Sequence, residues 1–600
     1  MVTAEDLAKG QQSISVAEFF EKNKHLLGFD SAARGIITTV KEAVDNALDA
    51  CEEASILPDI FVAIHRTDEG VFRITVEDNG PGIMPDNVPF VFGKLLYGSR
   101  FHQIRQSRGQ QGIGISAAVL YAQLTSGVPA EVISRTGAGE PAHHVRLNID
   151  TRTNEPTILS HEEIAWDRIH GTRVEIEFPA TLAARRRLLD YLRYTAVVNP
   201  HARIHAVIDD EEYVFARASD EVPPVPAAID PHPHGIELGT LARMAAQETG
   251  TLRQFLTERF SRVGQKTARE ILDTAGMDGD RAASTLSSAD HKRLLAAMQE
   301  VRIPPPPASV CLSPIGEDLI IQGIEKEFAL DFVKARTRSP SVTSGHPFVV
   351  EAALGYGGGL PADAGARLMR FANRVPLLYQ QGACLITSCA TGVNWKAYGL
   401  GQQGLPHGPV LILVHVASTN VPFTSESKDA IAAIPEIERE ITLALQELGR
   451  DLKAYLRRRD KKKHQEDRAR AVCSVIPEIA RKVGEIVERP PPDTSAIEGR
   501  IMQKVVAKKF TENGSVHLQV TNHSPREVDL TISHLTPEKV ETPRPAPDFT
   551  DEFEGSHTLV WRCRLAPGGG WEASFRGSGA GTLDIRGVDE GMKAVVDLDV

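Results

Sequence analysis

The chain has 600 residues, of which 42% are hydrophobic and 24% charged, the proportions of an ordinary globular protein of several domains. Its longest apolar run, around Pro409 to Val416, is far short of the about 20 residues that a membrane-spanning helix needs. A net charge of −12, from 67 basic and 79 acidic residues, excludes a globally basic nucleic-acid binder and confines any such contact to local patches such as Arg185-Arg186-Arg187 or Arg457 to Lys463. Each patch taken singly is more often a solvated helix face than a binding site. The opening Met1-Val-Thr-Ala-Glu-Asp-Leu lacks a signal-peptide pattern, so a cytoplasmic address is the default. Cys51, Cys311, Cys384, Cys389, Cys473 and Cys563 include no CxxC pair, which fits neither a zinc site nor a disulfide framework and predicts buried free thiols.

Ser15-Val-Ala-Glu18 has the form of a capping box and predicts a helix start before Phe19-Phe20. Residues 32 to 54 place Ile36, Ile37, Val40, Val44, Ala47, Leu48 and Cys51 on the apolar stripe of a long helix. Ile60 to His65 and Val71 to Glu77 alternate as strands leading into a turn at Asp78, and Val145 to Ile149 and Thr172 to Phe178 read as further strands. Prolines from Pro223 to Pro233 close this mixed α/β block. The next block, about 235 to 303, is nearly all helical: Thr240 to Thr249, Leu252 to Phe260, Gln265 to Ala275 and Ser288 to Val301. After Pro304 to Pro307, strands are predicted at Leu319 to Glu327, Phe348 to Ala353, Cys384 to Ser388 and Val410 to Ala417. A long helix follows from about Ile434 to Val487, with Pro477 as a candidate break. Beyond Pro490 to Pro492, period-two segments at Val516 to Val520, Val528 to Ile532, Leu559 to Cys563 and Leu583 to Ile585 predict a small β-sandwich.

Three segments of the first block carry chemistry in a fixed order. Glu42, Asn46 and Asp49 are spaced i, i+4, i+7 and share one helix face. A carboxylate there can deprotonate water, and an amide oxygen can serve Mg²⁺, an ion that takes few protein ligands. The same spacing also describes a solvated polar face. Asp78 then opens a turn with Gly80 and Gly82, where a carboxylate can accept from the exocyclic amine of adenine; a bare turn is the other reading. Arg108 to Ser116 has glycines at 109, 112 and 114 ahead of a helical run, the form of an amide nest for phosphates, without being a Walker loop. Gly171-Thr172 can place a hydroxyl by the base pocket.

This order of motifs resembles the GHKL ATPases, the family of gyrase, Hsp90, MutL and histidine kinases. Ser15-Val-Ala-Glu-Phe-Phe20, Leu96-Tyr-Gly-Ser-Arg-Phe101 and Arg108-Gly-Gln-Gln-Gly-Ile-Gly-Ile-Ser116 narrow it to a resemblance to the B subunits of type IIB DNA topoisomerases, the topoisomerase VI group, over residues 10 to 490. The resemblance implies an α+β multidomain chain. Residues 1–222 would form a Bergerat-type α/β ATPase sandwich with an N-terminal strap, and 235–306 a helix-two-turns-helix domain. Residues 308–488 would form an α/β transducer ending in the long helix, while for 500–600 the period-two segments themselves predict an Ig-like β-sandwich, which only some members of the family carry.

It further implies Glu42 as general base, Asn46 as Mg²⁺ ligand and Asp78 as adenine reader. Asp49, Gly80, Gly82, Ser99, Arg100, Thr172 and the lid Arg108, Gly109, Gln110, Gln111, Gly112, Ile113, Gly114 and Ile115 would complete the ATP site. Thr424-Ser-Glu-Ser-Lys428 matches the switch loop whose lysine reaches the γ-phosphate. Trp395-Lys396-Ala-Tyr398 resembles a loop suspected of touching DNA, although it also suits a packed hairpin tip. Arg185 to Arg187 lies where the family is basic, but here follows Ala183-Ala184 instead of a further basic residue and glycine. The implied assembly is an A2B2 heterotetramer acting on double-stranded DNA at the nucleoid: the chain dimerises on ATP, and a separate A-type subunit, docked on the long helix, cleaves the DNA. A MutL-like repair clamp and a Hsp90-like chaperone are the competing readings of the same ATPase fold.

Overall fold

The helix Ala32–Glu53 organises the first domain. Ser31 caps it, its side chain accepting from the Arg34 N–H at 3.3 Å, and the buried stripe runs from Ile36 to Cys51. The computed structural model describes residues 13–24, 28–101, 103–109, 112–425, 427–537, 539–553, 555–577 and 579–598. Gln110, Gln111, most of the expected N-terminal strap and Glu426 lie outside the described residues. The chain falls into two units, Met1–Ala454 and Tyr455–Val600.

In the first unit, strands β1 (Asp59–Asp68), β2 (Val71–Glu77), β3 (Ala130–Arg135), β4 (Ala142–Asp150), β5 (Glu155–Ile164), β6 (Gly171–Pro179), β7 (Arg203–Ile208) and β8 (Glu211–Phe215) form one sheet. Its order is β5-β4-β3-β6-β2-β1-β7-β8. All pairs are antiparallel except β1 with β7, which a helix, Arg185–Val198, precedes. The helices Ala32–Glu53, Gly114–Ser126 and Arg185–Val198 share a single core with the sheet's alternating apolar positions, such as Ile74, Val76, Val132, Val174 and Ile176. The central pair β2 and β6 ends in register at Glu77 opposite Arg173, which puts Asp78 beside Thr172.

Four helices follow, Leu238–Gln247, Leu252–Arg259, Gln265–Ala275 and Ser288–Glu300, around a small separate core. Reciprocal capping boxes at Thr251/Gln254 and Ser287/Asp290 start two of them. Next comes a sheet of β9 (Phe332–Thr337), β10 (Ser341–Thr343), β11 (His346–Tyr356), β12 (Arg367–Ala372), β13 (Val375–Pro376) and, after the short hairpin β14 (Gly401–Gln403) and β15 (Leu405–His407), β16 (Val410–Ser418). The order is β10-β11-β16-β12-β13, with β9 against β11.

Two expected strands are helices. Leu319 to Glu325 of the first lies in the helix Glu317–Glu325, with Lys326 and Glu327 in the turn after it, and Cys384 to Ser388 opens the helix Leu385–Gly392. Short apolar runs suit either state, and the buried positions decide: Ile320, Gly323 and Ile324 in the first and Leu385, Ile386, Cys389 and Ala390 in the second recur at helical spacing. Glu317 and Asp318 in the first turn of the former also favour a helix N-terminus. The long helix Pro435–Val487 runs through Pro477 without a break, and the boundary between the two units falls within it.

Among the described residues the second unit carries two sheets, one of five strands and one of four, around a core that includes Leu518, Ile532, Trp561 and Phe575. All six cysteines are free; Cys51, Cys311, Cys384 and Cys389 are buried and Cys473 and Cys563 half-buried. Among the described residues no helix is long and apolar enough to cross a membrane.

Candidate functional site

A cavity of about 630 Å³ opens between the Ala32–Glu53 helix, the end of β2, the segment before the Gly114–Ser126 helix and the loop carrying Lys428. That volume suits a nucleotide-sized ligand. Glu42, Asn46, Asp78, Gly82, Ser99, Arg100, Gly109, Gly112, Ile113, Gly114, Ile115, Thr172 and Lys428 all line it. Of the remaining expected residues, Asp49, Gly80 and Arg108 stand behind the wall, and Gln110 and Gln111 lie outside the described residues.

The deep end is polar. Asp78 is buried, and its Oδ1 accepts from the Gly80 N–H at 2.8 Å and the Thr172 N–H at 3.2 Å. Burial pushes its pKa up to about 6 even though those two donors and Arg168 pull the other way. Gly171 permits this geometry, because a Cβ there would fall 2.1 Å from the Asp78 carbonyl oxygen. Asn79 is spent on the framework: its side chain accepts from the Asp59 N–H and donates to the Leu57 carbonyl. Ser134 Oγ accepts from the Ile83 N–H at 2.8 Å and meets Thr172 Oγ1 at 3.3 Å, tying the glycine turn to the sheet.

The other end is a mixed ionic field. Asn46 is exposed to the cavity. Glu42 pairs with Lys41 at 3.0 Å, and Lys41 reaches Asp45 at 3.7 Å. Burial would raise the Glu42 pKa, but the Lys41 and Lys428 charges outweigh it and hold the carboxyl below its usual range. Burial in turn lowers the Lys428 pKa against the pull of Glu42. The Glu42 carboxylate lies against the start of the Gly114–Ser126 helix, where a Cβ on Gly114 would come within 1.8 Å of Glu42 Oε2. The first N–H groups of that helix have no intrahelical acceptor, so this end of the cavity offers amide donors to an anion.

Asp49 and Arg108 belong to a buried network behind the wall. Arg108 forks onto Glu52, with Nη1 to Oε2 at 2.8 Å and Nη2 to Oε1 at 2.6 Å, and also reaches Asp49 and Asn199, each at 2.6 Å. His201 meets Glu52 at 2.8 Å, and Arg100 pairs with Asp49 and Glu53. The neighbouring Gln106 exchanges hydrogen bonds with the Ser313 backbone, and Asn373 donates to the Ser107 carbonyl, so the lid is strapped to the second sheet. There the Arg374 N–H donates to His415 Nε2 at 2.9 Å. His415 Nδ1 therefore carries the proton to Glu351 at 2.8 Å.

Reasoning on motifs overlooked Arg34, Lys41, Glu52, Tyr379 and Asp429, which all touch this cavity or its supporting network. Glu52 extends the Asp49 face by i+3 and Asp429 directly follows Lys428, signals present in the sequence, whereas Tyr379 comes from a distant segment and had none. Two suspected DNA-contacting groups are partly engaged within the protein. Trp395 is buried with its indole N–H on the Ala390 carbonyl at 2.7 Å, which leaves Lys396 exposed. Arg185 pairs with Glu211, and Arg187 lies 5.4 Å from the Tyr379 ring centroid.

A sheet backed by helices, with its cavity closed by a glycine lid and entered by a distant lysine, defines a GHKL-type ATPase. Residues 31–182 match the family described as histidine kinase-, DNA gyrase B- and HSP90-like ATPase, and residues 307–468 match the topoisomerase VI B-subunit transducer. Three similar proteins are each named as the B subunit of type 2 DNA topoisomerase 6. That of Methanococcoides burtonii is 50% identical, covering 94% of this chain and 92% of its own length. Those of Methanosarcina acetivorans and Archaeoglobus fulgidus are each 48% identical, covering 97% and 94% of this chain and 95% and 94% of their own. The chain belongs to the family of type 2 DNA topoisomerase 6 B subunits, the ATPase subunits of type IIB topoisomerases.

Proposed function

We propose that the cavity hydrolyses ATP and that the cycle drives passage of double-stranded DNA by an A2B2 assembly with an A-type partner. The observation that carries this is the convergence of Glu42, Asn46, Asp78, the lid amides and Lys428 on one cavity. Asp78 reads adenine: both its backbone donors address Oδ1, so Oδ2 is the oxygen available to an exocyclic amine. Thr172 and Ser99 add hydroxyls, and Gly82 lines the same wall, where a Cβ would fall 2.1 Å from the Arg135 carbonyl oxygen. Residues 109 to 115 receive the phosphates, while Arg108 and Asp49 hold the lid and its helix together from behind.

The donor set fits one hard cation. Among the described residues no cluster of three or more His, Cys, Asp or Glu could hold a metal, while Asn46 presents a single amide to the phosphate end. Mg²⁺, held there by Asn46, phosphate oxygens and water, would neutralise charge on the phosphates. Glu42 is kept ionised by Lys41 and Lys428 and so can take the proton of the attacking water. Lys428 supplies a compact charge to the γ-phosphate and is released when that phosphate leaves.

The division of labour follows the expected domains. Residues 1–222 bind and hydrolyse ATP, 235–306 form the helix-two-turns-helix insert, and 308–488 carry Lys428 and transmit its movement. Residues 500–600 are the terminal sandwich. Two copies close on each other when ATP binds, and DNA cleavage belongs to the A-type partner. The match to a topoisomerase VI transducer favours this over a repair clamp or a chaperone. In sedimentation, a non-hydrolysable ATP analogue should convert monomer to dimer; an unchanged mass would contradict gate closure.

A further inference from the structure

Arg34 and Asp429 belong to no motif used above, yet both line the cavity. Arg34 stands in the first turn of the Ala32–Glu53 helix, about two turns before Glu42. Its guanidinium pairs through Nη1 with Asp30 at 2.7 Å and through Nη2 with Asp429. The same guanidinium lies 4.4 Å from the ring centroid of Tyr379, on the segment after β13. Asp429 is the chain neighbour of Lys428, is buried, and also accepts from Ser427 Oγ at 2.8 Å.

The loop that carries Lys428 is closed at its base by the Thr424 N–H on the Ala430 carbonyl at 2.9 Å and by the bridge between Phe423 and Ile431. At its tip Lys428 has φ +55°, the left-handed region that a lysine seldom occupies. Such a conformation persists where its surroundings over-determine it. The Arg34–Asp429 pair supplies that constraint from the first domain, one residue from Lys428 and on the helix that bears Glu42.

We infer that the Arg34–Asp429 ion pair is the latch that registers Lys428 to the phosphate end of the cavity, with Asp429 a positioning residue for turnover and not for nucleotide affinity. The inference rests on the reading of Lys428 as the residue that meets the γ-phosphate. Stacking on Tyr379 makes Arg34 a shared anchor, so withdrawal of the loop and displacement of the Tyr379 segment act on one guanidinium. A carboxylate loses this pairing when it becomes an amide, although shape and volume stay the same.

The test is steady-state ATP hydrolysis by the full chain with its partner, alongside the affinity for a non-hydrolysable ATP analogue. Asp429→Asn should lower kcat about tenfold or more while KM and analogue affinity change less than about twofold. Asp429→Glu should recover part of the loss. The pair Arg34→Ala with Asp429→Asn should lose little more than Arg34→Ala alone, since Arg34→Ala already removes the contact that Asp429→Asn breaks. Arg34→Lys, which keeps the charge but loses the fork and the stack, gives an intermediate kcat and stands in should Asp429→Asn prove unfolded. Parental kcat in Asp429→Asn beside an impaired Lys428→Ala overturns the latch and leaves the Lys428 reading standing. Parental kcat in Lys428→Ala itself removes that reading. A raised KM with unchanged kcat makes Asp429 a nucleotide contact and also overturns the latch.

Discussion

Two carboxylates of the cavity are tuned in opposite directions by their neighbours. Burial pushes Asp78 up to about 6, while Lys41 and Lys428 outweigh burial at Glu42 and lower it. Asp78 thus binds its proton more tightly in the folded chain than in the unfolded one. Between about pH 4 and 6 the folded state holds more protons, so its contribution to stability is full below that window and is lost as pH rises through it. The adenine recognition proposed for Asp78 would run the other way, because the ionised carboxylate is the stronger acceptor. Calorimetry with an ATP analogue should show affinity rising from pH 5 to 7, and Asp78→Asn should weaken binding and flatten that slope; an unchanged slope would remove Asp78 as the reader. Glu42→Ala should cut turnover by about 10²-fold to 10⁴-fold with nucleotide binding kept. A variant that hydrolyses ATP at the parental rate would remove Glu42 as base.

Elements are placed by contacts that reach across the chain, and here the sequence was unevenly legible. The Ala32–Glu53 helix and the strands leading to Asp78 announce themselves by period and by the turn that follows. The helices at Glu317–Glu325 and Leu385–Gly392 do not, because an apolar run of five to nine residues satisfies both periods until its partners are known. Arg108 reads as a lid residue from its motif, yet its fork onto Glu52 depends on two segments meeting in the fold. Glu52→Ala should therefore cost about 1–3 kcal/mol in denaturant unfolding, since the buried Arg108 guanidinium loses its two-pronged partner and keeps only Asp49 and Asn199. Gly114 is decided by a close approach no motif reveals: the Cβ of Gly114→Ala would meet Glu42 Oε2 at 1.8 Å. Moving that carboxylate should lower kcat by about 10²-fold with smaller effects on KM. Parental kcat would show that the base tolerates the shift.

For the whole molecule, the catalytic helix, the lid and the second sheet share one polar network, from Glu52 and Arg108 through Gln106 and Asn373 to the Arg374–His415–Glu351 chain. On the proposed reading, a change at the phosphate end would reach the sheet that precedes the long helix through Arg108 and its neighbours. That route gives ATP hydrolysis something to move. The most direct measurement is relaxation of supercoiled plasmid with Mg²⁺ and ATP, using this chain with and without an A-type partner. The account predicts ATP-dependent relaxation only with the partner, abolished by Glu42→Ala. Robust ATP hydrolysis by a confirmed complex that leaves plasmid topology unchanged would contradict it.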